Sequence, residues 1–447
     1  MEGKMERVSV ESLLCGISSC ECGRNHNGIL SDCVICEGAL ASLVPLLQKH
    51  GAKYPYVLCD KNTYKAAGER VVEILRAEDI PYVLHVIERD RPSPDEVTVD
   101  EVAEHFHKSC DSVIAVGGGV INDTGKLISA QRGVVDVYVS TAPSMDGFAS
   151  ATSSMEVGGL KVSLPTKCPD AVIADTDVLA SAPVHMIRSG IGDMLAKYVS
   201  IAEWRLANII TGEYYCDRVA DIVSTSLEMC VKSAKSAVER DKAAIATLTE
   251  GLVISGMAMN LAGVSRPASG MEHYVSHMID MRALEFGRPS ELHGIQCGIA
   301  TLTTLKAYDK LSRVTPSREA ALSYVRDFEA EAWNDHLKAS LGRAADAIIE
   351  GERREGKYDV SRHGDRLCMI LERWNDIIDV IRTLPSAYEV EAFMRDIGHP
   401  TSYSDIGITQ DEYRDAFVMA KDVRDKYVLG RLLWDLGIID EVAAQIE

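Results

Sequence analysis

Ser112-Val-Ile-Ala-Val116-Gly117-Gly118-Gly119-Val120-Ile121-Asn122-Asp123 passes from a β-branched run through three glycines into a helical pattern that continues to Gln131. Asp136-Val-Tyr-Val-Ser140 then reads as the next strand. Strand, glycine turn, helix and strand in this order form the repeat of a parallel sheet covered by helices. Working outward, residues 54–59 and 81–86 read as two earlier strands. Residues 61–77 and 99–108 carry apolar residues at helical spacing.

After Pro183 strand signals almost vanish. Amphipathic helical patterns occupy 191–208, 213–237, 241–262, 296–311, 317–350 and 410–437. The expected fold is an α/β N-terminal domain, residues 1–180, with a parallel sheet and a Rossmann-like nucleotide site. An all-helical domain, residues 181–447, follows it. The segment Ala180-Ser-Ala-Pro183 marks the boundary. The acidic tail from about residue 315 carries no motif and reads as scaffold or oligomer contact.

The chain has 447 residues, 46% of them hydrophobic and 26% charged, the composition of a globular protein with room for two cores. A net charge of −20 opposes nucleic-acid or anionic-membrane partners. A small phosphorylated substrate stays open, because a metal or arginine can dominate a cleft. The start, Met1-Glu-Gly-Lys-Met-Glu-Arg7, is charged and lacks the apolar stretch of a signal peptide. The apolar segment 251–264 is too short to span a bilayer and contains Ser255 and Asn260. A cytoplasmic location without membrane insertion is expected.

Four segments carry chemistry. The glycines at 117–119 let the backbone approach a pyrophosphate, which the free amides of the helix start bind. Asp60 ends a strand, where a carboxylate meets an adenosine ribose and favours NAD over NADP, or caps a helix. Ser140-Thr-Ala-Pro-Ser-Met-Asp146-Gly-Phe-Ala-Ser150 sits at a strand's C-terminal end, where ligands bind in parallel sheets. His273 and His277 in Ser265-Arg-Pro-Ala-Ser-Gly-Met-Glu-His273-Tyr-Val-Ser-His277 are four apart and share a helix face. His293 follows a Gly/Pro turn and folds back, and Asp193 lies at what reads as a helix start. One carboxylate and two imidazoles suffice for a catalytic divalent metal with an open position.

The twelve cysteines are scattered and suit reduced thiols. One cluster stands apart: Cys20, Cys22, His26, Cys33 and Cys36. It reads as a small structural zinc site or as plain thiols in a strand-and-turn region.

The ordered set GGG…ND, STAPSxDGF, KCPDAVIADTDVL, GIGDMLAKY, SRPASGxEHxxSH and LHG, over residues 50–305, resembles the glycerol-1-phosphate dehydrogenases. These belong to the glycerol dehydrogenase, iron-alcohol dehydrogenase and dehydroquinate synthase-like superfamily. The likeness is closest to the bacterial branch with its extended helical C-terminus. It implies reversible NAD(P)H-dependent reduction of dihydroxyacetone phosphate to sn-glycerol 1-phosphate, with a divalent metal (zinc, nickel or iron) as Lewis acid on the ketone oxygen. By resemblance Asp193, His273 and His293 are metal ligands. Asp146, His277 and Asp193 look like the catalytic and substrate contacts. Gly117, Gly118, Gly119, Val120, Ile121, Asn122, Asp123, Thr141, Ala142, Pro143, Ser144 and Ser150 look like cofactor contacts. Four-ligand iron-type relatives place a histidine where this chain has Lys197, so three protein ligands are expected.

A phosphate dianion needs a cationic partner. Arg266, beside the histidine helix, is the first candidate, with Lys167 and Lys197 behind it. Alternatives are a polyol dehydrogenase acting on an unphosphorylated substrate, a dehydroquinate synthase-like cyclase, and an inactive scaffold. The cyclase lacks its lysine- and arginine-rich substrate set here, and the retained ligand set argues against the scaffold. An even homo-oligomer, a dimer or higher, is expected.

Overall fold

The computed structural model describes residues 8–446; the charged start at 1–7 lies outside them. Among the described residues eight strands form: β1 (Asp32–Cys36), β2 (Pro55–Asp60), β3 (Val83–Ile87), β4 (Ser112–Gly117), β5 (Val135–Ser140), β6 (Thr152–Val157), β7 (Leu160–Pro165) and β8 (Ala171–Asp175). Six make one sheet in the order β1-β8-β5-β4-β2-β3, and every neighbouring pair is parallel. β6 and β7 form a separate two-stranded sheet. The central strands β4 and β8 are buried along their whole length. Such unbroken apolar runs belong to strands covered on both faces.

The chain leaves β2 for β3 on one side and returns to β4 on the other, so the order reverses between β2 and β4. Nucleotides bind in α/β sheets at such a switch point, outside the carboxyl ends of the strands. Asp60 ends β2 and Gly117 ends β4, so two of the residues singled out in the sequence stand at this crevice. Helix Gly119–Arg132 packs so closely on β4 that a Cβ on Gly125 would lie 2.6 Å from that of Ala115.

Beyond Thr176 the described chain has no further strand. The long tail patterns are helical but interrupted. Residues 317–350 divide into Arg318–Arg326, Ala330–Leu341 and the start of Ala345–Glu355, with Gly342 at φ 51° between the last two. Segment 251–264 ends a longer helix, Lys242–Ala262, which by length and composition could cross a membrane. In the fold it is a core helix, with 72% of its apolar window buried.

The chain packs as two compact units. The first comprises the chain up to Val157, Lys161–Met194 and Arg218–Ser265; the second comprises Gly158–Leu160, Leu195–Asp217 and Arg266 onward. The change from sheet to helices lies near residue 180, whereas the units divide the chain at these other points.

Candidate active site

In the first unit, Gly118 is the N-cap of helix Gly119–Arg132, with extended backbone and no side chain to cap it. The first helical bond runs from the Asn122 amide to Gly118 O at 3.0 Å, so the amides of Gly119, Val120 and Ile121 precede the ladder. A Cβ on Gly118 would meet only Met186 Cε, at 3.8 Å, so the space before these amides is open. On Gly117 a Cβ would collide with Ile121 Cβ at 2.5 Å. Asn122 Nδ2 donates to Phe148 O at 3.5 Å, while its buried Oδ1 has no hydrogen-bond partner. An open helix start and an orphaned acceptor fit a nucleotide.

Asp123 pairs with Lys126 at 3.1 Å. Burial pushes its carboxyl up against the opposing pull of that lysine. Lys126 Nζ also donates to Gly147 O, Ser150 Oγ and Thr152 O at 3.0, 3.3 and 2.6 Å, which ties the helix to the loop after β5. Asp60 caps the turn that follows it: Oδ1 accepts from the Asn62 and Thr63 amides at 2.7 and 2.9 Å. Both of these bonds fall on Oδ1, so capping does not engage Oδ2.

The loop 140–151 is fastened at several points. The Thr141 amide donates to Gly117 O at 3.0 Å, and Ser189 Oγ donates to Ser144 O at 2.8 Å. Pro143 O sits where a Cβ on Gly190 would be, 2.0 Å away, which explains the first glycine of GIGD. The Asp146 amide donates to Asp193 Oδ2 at 2.9 Å, and Ser255 Oγ donates to Asp146 Oδ2 at 2.8 Å. Both carboxylates are buried. Asp193 is interior to helix Val184–Thr211 rather than at a helix start, because the helix begins just after Pro183.

In the second unit, the segment 266–271 runs along helix Val184–Thr211 and is held by residues three apart on one face. Lys197 Nζ donates to Ala268 O at 3.1 Å and Ser200 Oγ to Pro267 O at 3.0 Å. Glu203 Oε2 accepts from the Met271 amide at 2.8 Å. Gly270 is required here: a Cβ would lie 2.6 Å from Glu203 Oε2 and 2.8 Å from Glu272 Oε2. Burial pushes both of these carboxyls up, and for Glu203 the repulsion from Glu272 adds to it.

Helix Met271–Glu285 carries His273 and His277, and helix His293–Leu311 starts with His293. The His273 and His293 rings are 4.9 Å apart, centre to centre, and His277 stacks on His293 at 6.0 Å. His273 Nδ1 lies 2.9 Å from Glu272 Oε1, an oxygen that also accepts from the Gly270 amide at 2.7 Å. Ser276 Oγ donates to Gln296 Oε1 at 3.0 Å and lies 3.2 Å from His293 Nδ1. In both rings Nδ1 is therefore the donor and Nε2 carries the lone pair, as in metal-binding histidines steered by a second layer of partners. The donor set fits a divalent metal.

Cys297 was not singled out in the sequence. One turn after His293, its Sγ is 3.5 Å from Nε2, and His273, His293 and Cys297 present ligand atoms within 4.8 Å of one another. The spacing H-x3-C on one helix was the available signal. Glu272 and Ser276, whose oxygens lie beside the Nδ1 atoms of His273 and His293, had no signal beyond their place in the histidine segment.

Arg266, the phosphate partner suggested by the sequence, is already engaged within the fold. It is 1% exposed, and its guanidinium is bidentate on Glu213, with Nε 2.6 Å from Oε1 and Nη2 on Oε2. Nη1 donates to Tyr427 O at 2.9 Å. A desert of solvent around a guanidinium is tolerable only with such partners, and they occupy it. Lys167 is likewise engaged, with Val134 O and Asp170 at 2.6 and 2.7 Å.

The family profile described as iron-containing alcohol dehydrogenase matches residues 34–183. Glycerol-1-phosphate dehydrogenase [NAD(P)+] of Bacillus velezensis is 30% identical over 424 residues, 93% of this chain and 92% of that protein. The protein of the same name from Bacillus subtilis is 30% identical over 402 residues, 89% of each chain. Among solved structures, glycerol dehydrogenase from Schizosaccharomyces pombe superposes with a TM-score of 0.59 at 16% identity, covering 93% of this chain and 90% of that one. NADH-dependent butanol dehydrogenase A from Thermotoga maritima gives 0.57 at 16% identity, covering 92% and 96%. At such identities these two show the fold alone.

Proposed function

The chain belongs to the glycerol-1-phosphate dehydrogenase family, and from that premise we propose that it reduces dihydroxyacetone phosphate reversibly to sn-glycerol 1-phosphate with NADH or NADPH. The observation that carries this reading is the match over nine-tenths of both chains to proteins of that name.

When bound, the nicotinamide supplies the hydride and a divalent ion polarises the ketone oxygen. Asp193, His273 and His293 hold the ion, a reading supported by the Nδ1–H tautomers of the two histidines, which put the lone pair of each ring on Nε2. The amides from Gly119 to Ile121 and the loop residues Thr141 to Ser144 hold the nucleotide, with Ser150 beside them. Asp60 meets the ribose and favours NADH. Asp146 orients the substrate hydroxyls, and His277 delivers the proton to the C2 oxygen, directly or through water. Residues 1–180 thus serve the nucleotide and lend Asp146 to the substrate, and residues 181–447 supply the histidines, Asp193 and the other substrate contacts. The enzyme works in the cytoplasm as an even homo-oligomer.

Engagement of Arg266 by Glu213 removes one argument against an unphosphorylated polyol substrate. The test is initial rates with dihydroxyacetone phosphate, dihydroxyacetone and glyceraldehyde 3-phosphate, each with NADH and NADPH, followed by the chirality of the product. Dihydroxyacetone phosphate should be strongly preferred. Preference for the unphosphorylated ketone would install the polyol reading instead.

A further inference from the structure

Residues 15–28 form a small closed loop in the first unit. Its base is an antiparallel pair: the Ile17 amide donates to His26 O at 2.7 Å and the His26 amide to Ile17 O at 3.0 Å. The base is too tight for side chains. A Cβ on Gly16 would lie 2.2 Å from His26 O, and one on Gly28 would lie 2.0 Å from Leu14 O. At the tip, Gly23 adopts φ +79° and its amide donates to Cys20 O at 3.0 Å. The tip residues 20–25 are exposed or half-buried, so the loop has little apolar burial to hold its shape.

This folding gathers three of the five residues that stood out in the sequence. The Sγ atoms of Cys20 and Cys22 and a ring nitrogen of His26 lie within 4.8 Å of one another. Cys33 and Cys36 go elsewhere, onto β1. His26 is 1% exposed, and its Nδ1 is 2.6 Å from Leu261 O. A carbonyl only accepts, so Nδ1 carries the hydrogen and Nε2 carries the lone pair. That Nε2 is 3.3 Å from Cys22 Sγ. A backbone carbonyl that fixes the tautomer is the usual second-layer partner of a metal-binding histidine.

We propose that Cys20, Cys22 and His26 bind a structural zinc ion through two thiolates and Nε2. Two sulfurs and one imidazole are a donor set that suits zinc, and its tetrahedral shell takes a fourth ligand from outside this loop. Binding replaces the two thiol protons by the metal and releases them to solvent. The ion supplies the cohesion that the loop lacks in apolar burial. Through His26 and Leu261 it fastens the loop to the end of helix Lys242–Ala262.

The test uses the full-length enzyme as purified with zinc. Cys20→Ser/Cys22→Ser should lose about one zinc per chain, the stoichiometry of a single site, while Cys33→Ser/Cys36→Ser keeps it. Cobalt-substituted wild type should show a thiolate-to-cobalt band in the near ultraviolet that falls in the first variant and not in the second. Should the first variant fail to fold, wild type answers alone. Mass-spectrometric mapping of alkylation should find Cys20 and Cys22 protected with zinc and reactive after chelation. Equal labelling with and without zinc would overturn the site. So would a Cys20–Cys22 disulfide, seen as a peptide lighter by two hydrogens. Unchanged zinc content in a folded Cys20→Ser/Cys22→Ser variant would do the same. None of these readouts depends on the substrate.

Discussion

Nδ1 of His273 lies 2.9 Å from Oε1 of Glu272, its immediate neighbour in the chain. Adjacent helical residues do not normally face each other. Here Glu272 folds back to the Gly270 amide, which puts its carboxylate beside the ring. Glu272→Gln keeps the shape and weakens the acceptor, so apparent metal affinity should fall by about 10- to 100-fold. Chelator titration of metal and activity together checks this. His273→Ala should lose the metal and turnover outright. Affinity unchanged in Glu272→Gln would reduce Glu272 to a helix cap.

Two glycines separate nucleotide binding from folding. Gly118→Val adds atoms in the open space before the helix amides, so KM for the nucleotide should rise far more than that for the substrate, at nearly unchanged Tm. Gly125→Ala forces a Cβ against Ala115 and should cost about 1–3 kcal/mol by overpacking, with KM for the nucleotide little changed in the folded fraction. Steady-state kinetics and thermal melts on both variants distinguish the roles. Equal rises in both KM values for Gly118→Val would make the turn a support for the fold only.

Arg266→Ala leaves Glu213 and the Tyr427 carbonyl without their partner. Arg266 is buried but Glu213 keeps a third of its side chain exposed, so the expected loss is about 1–3 kcal/mol, the cost of leaving hydrogen-bond partners unmade. Activity on phosphorylated and unphosphorylated ketones should fall in parallel. Arg266→Lys should not rescue it, because a point charge cannot reproduce the bidentate fork. A selective loss on the phosphorylated substrate would return Arg266 to the active site.

Asp136 gives the first unit a pH dependence. Burial is the dominant cause pushing its carboxyl from 3.8 up to about 7, and its Oδ1 has no hydrogen-bond partner. The folded state thus holds a proton that the unfolded state releases near its ordinary value. Its contribution to stability is full below about pH 4, declines as pH rises towards 7, and is lost above. Denaturant unfolding of wild type and Asp136→Asn at pH 5 and pH 8 should show a flatter pH response in the variant. Identical responses would mean that the carboxyl is ionised in both states.

The sheet was readable where β-branched runs meet glycine, as at Val116 and Gly117, because covering both faces of a strand demands unbroken apolar sequence. β1, with its Cys33 and Cys36, and the β6–β7 hairpin lacked that signal and went unread; β8 went unread too, because its run Ala171-Val-Ile-Ala174 is too short to tell from a helix segment. Helical type was clear beyond residue 180, but breaks such as Gly342 were not, since periodicity continues across a turn. The histidines were legible from their spacing. The engagement of Arg266 was not, because its partners Glu213 and Tyr427 lie 53 and 161 residues away. Sequence can show that an arginine is near a motif; only the fold shows which acceptor reaches it first.

The bond between Asp146 and Asp193 is made by a main-chain amide. Every residue but proline brings that amide with it. Position 146 can therefore change its side chain, and with it, under the proposed role of Asp146, the preferred hydroxyl pattern of the substrate, without breaking this bond to the carboxylate at 193. Specificity and the orientation of that carboxylate are thus separately mutable, and a lineage could explore new substrates at 146 while Asp193 stays held.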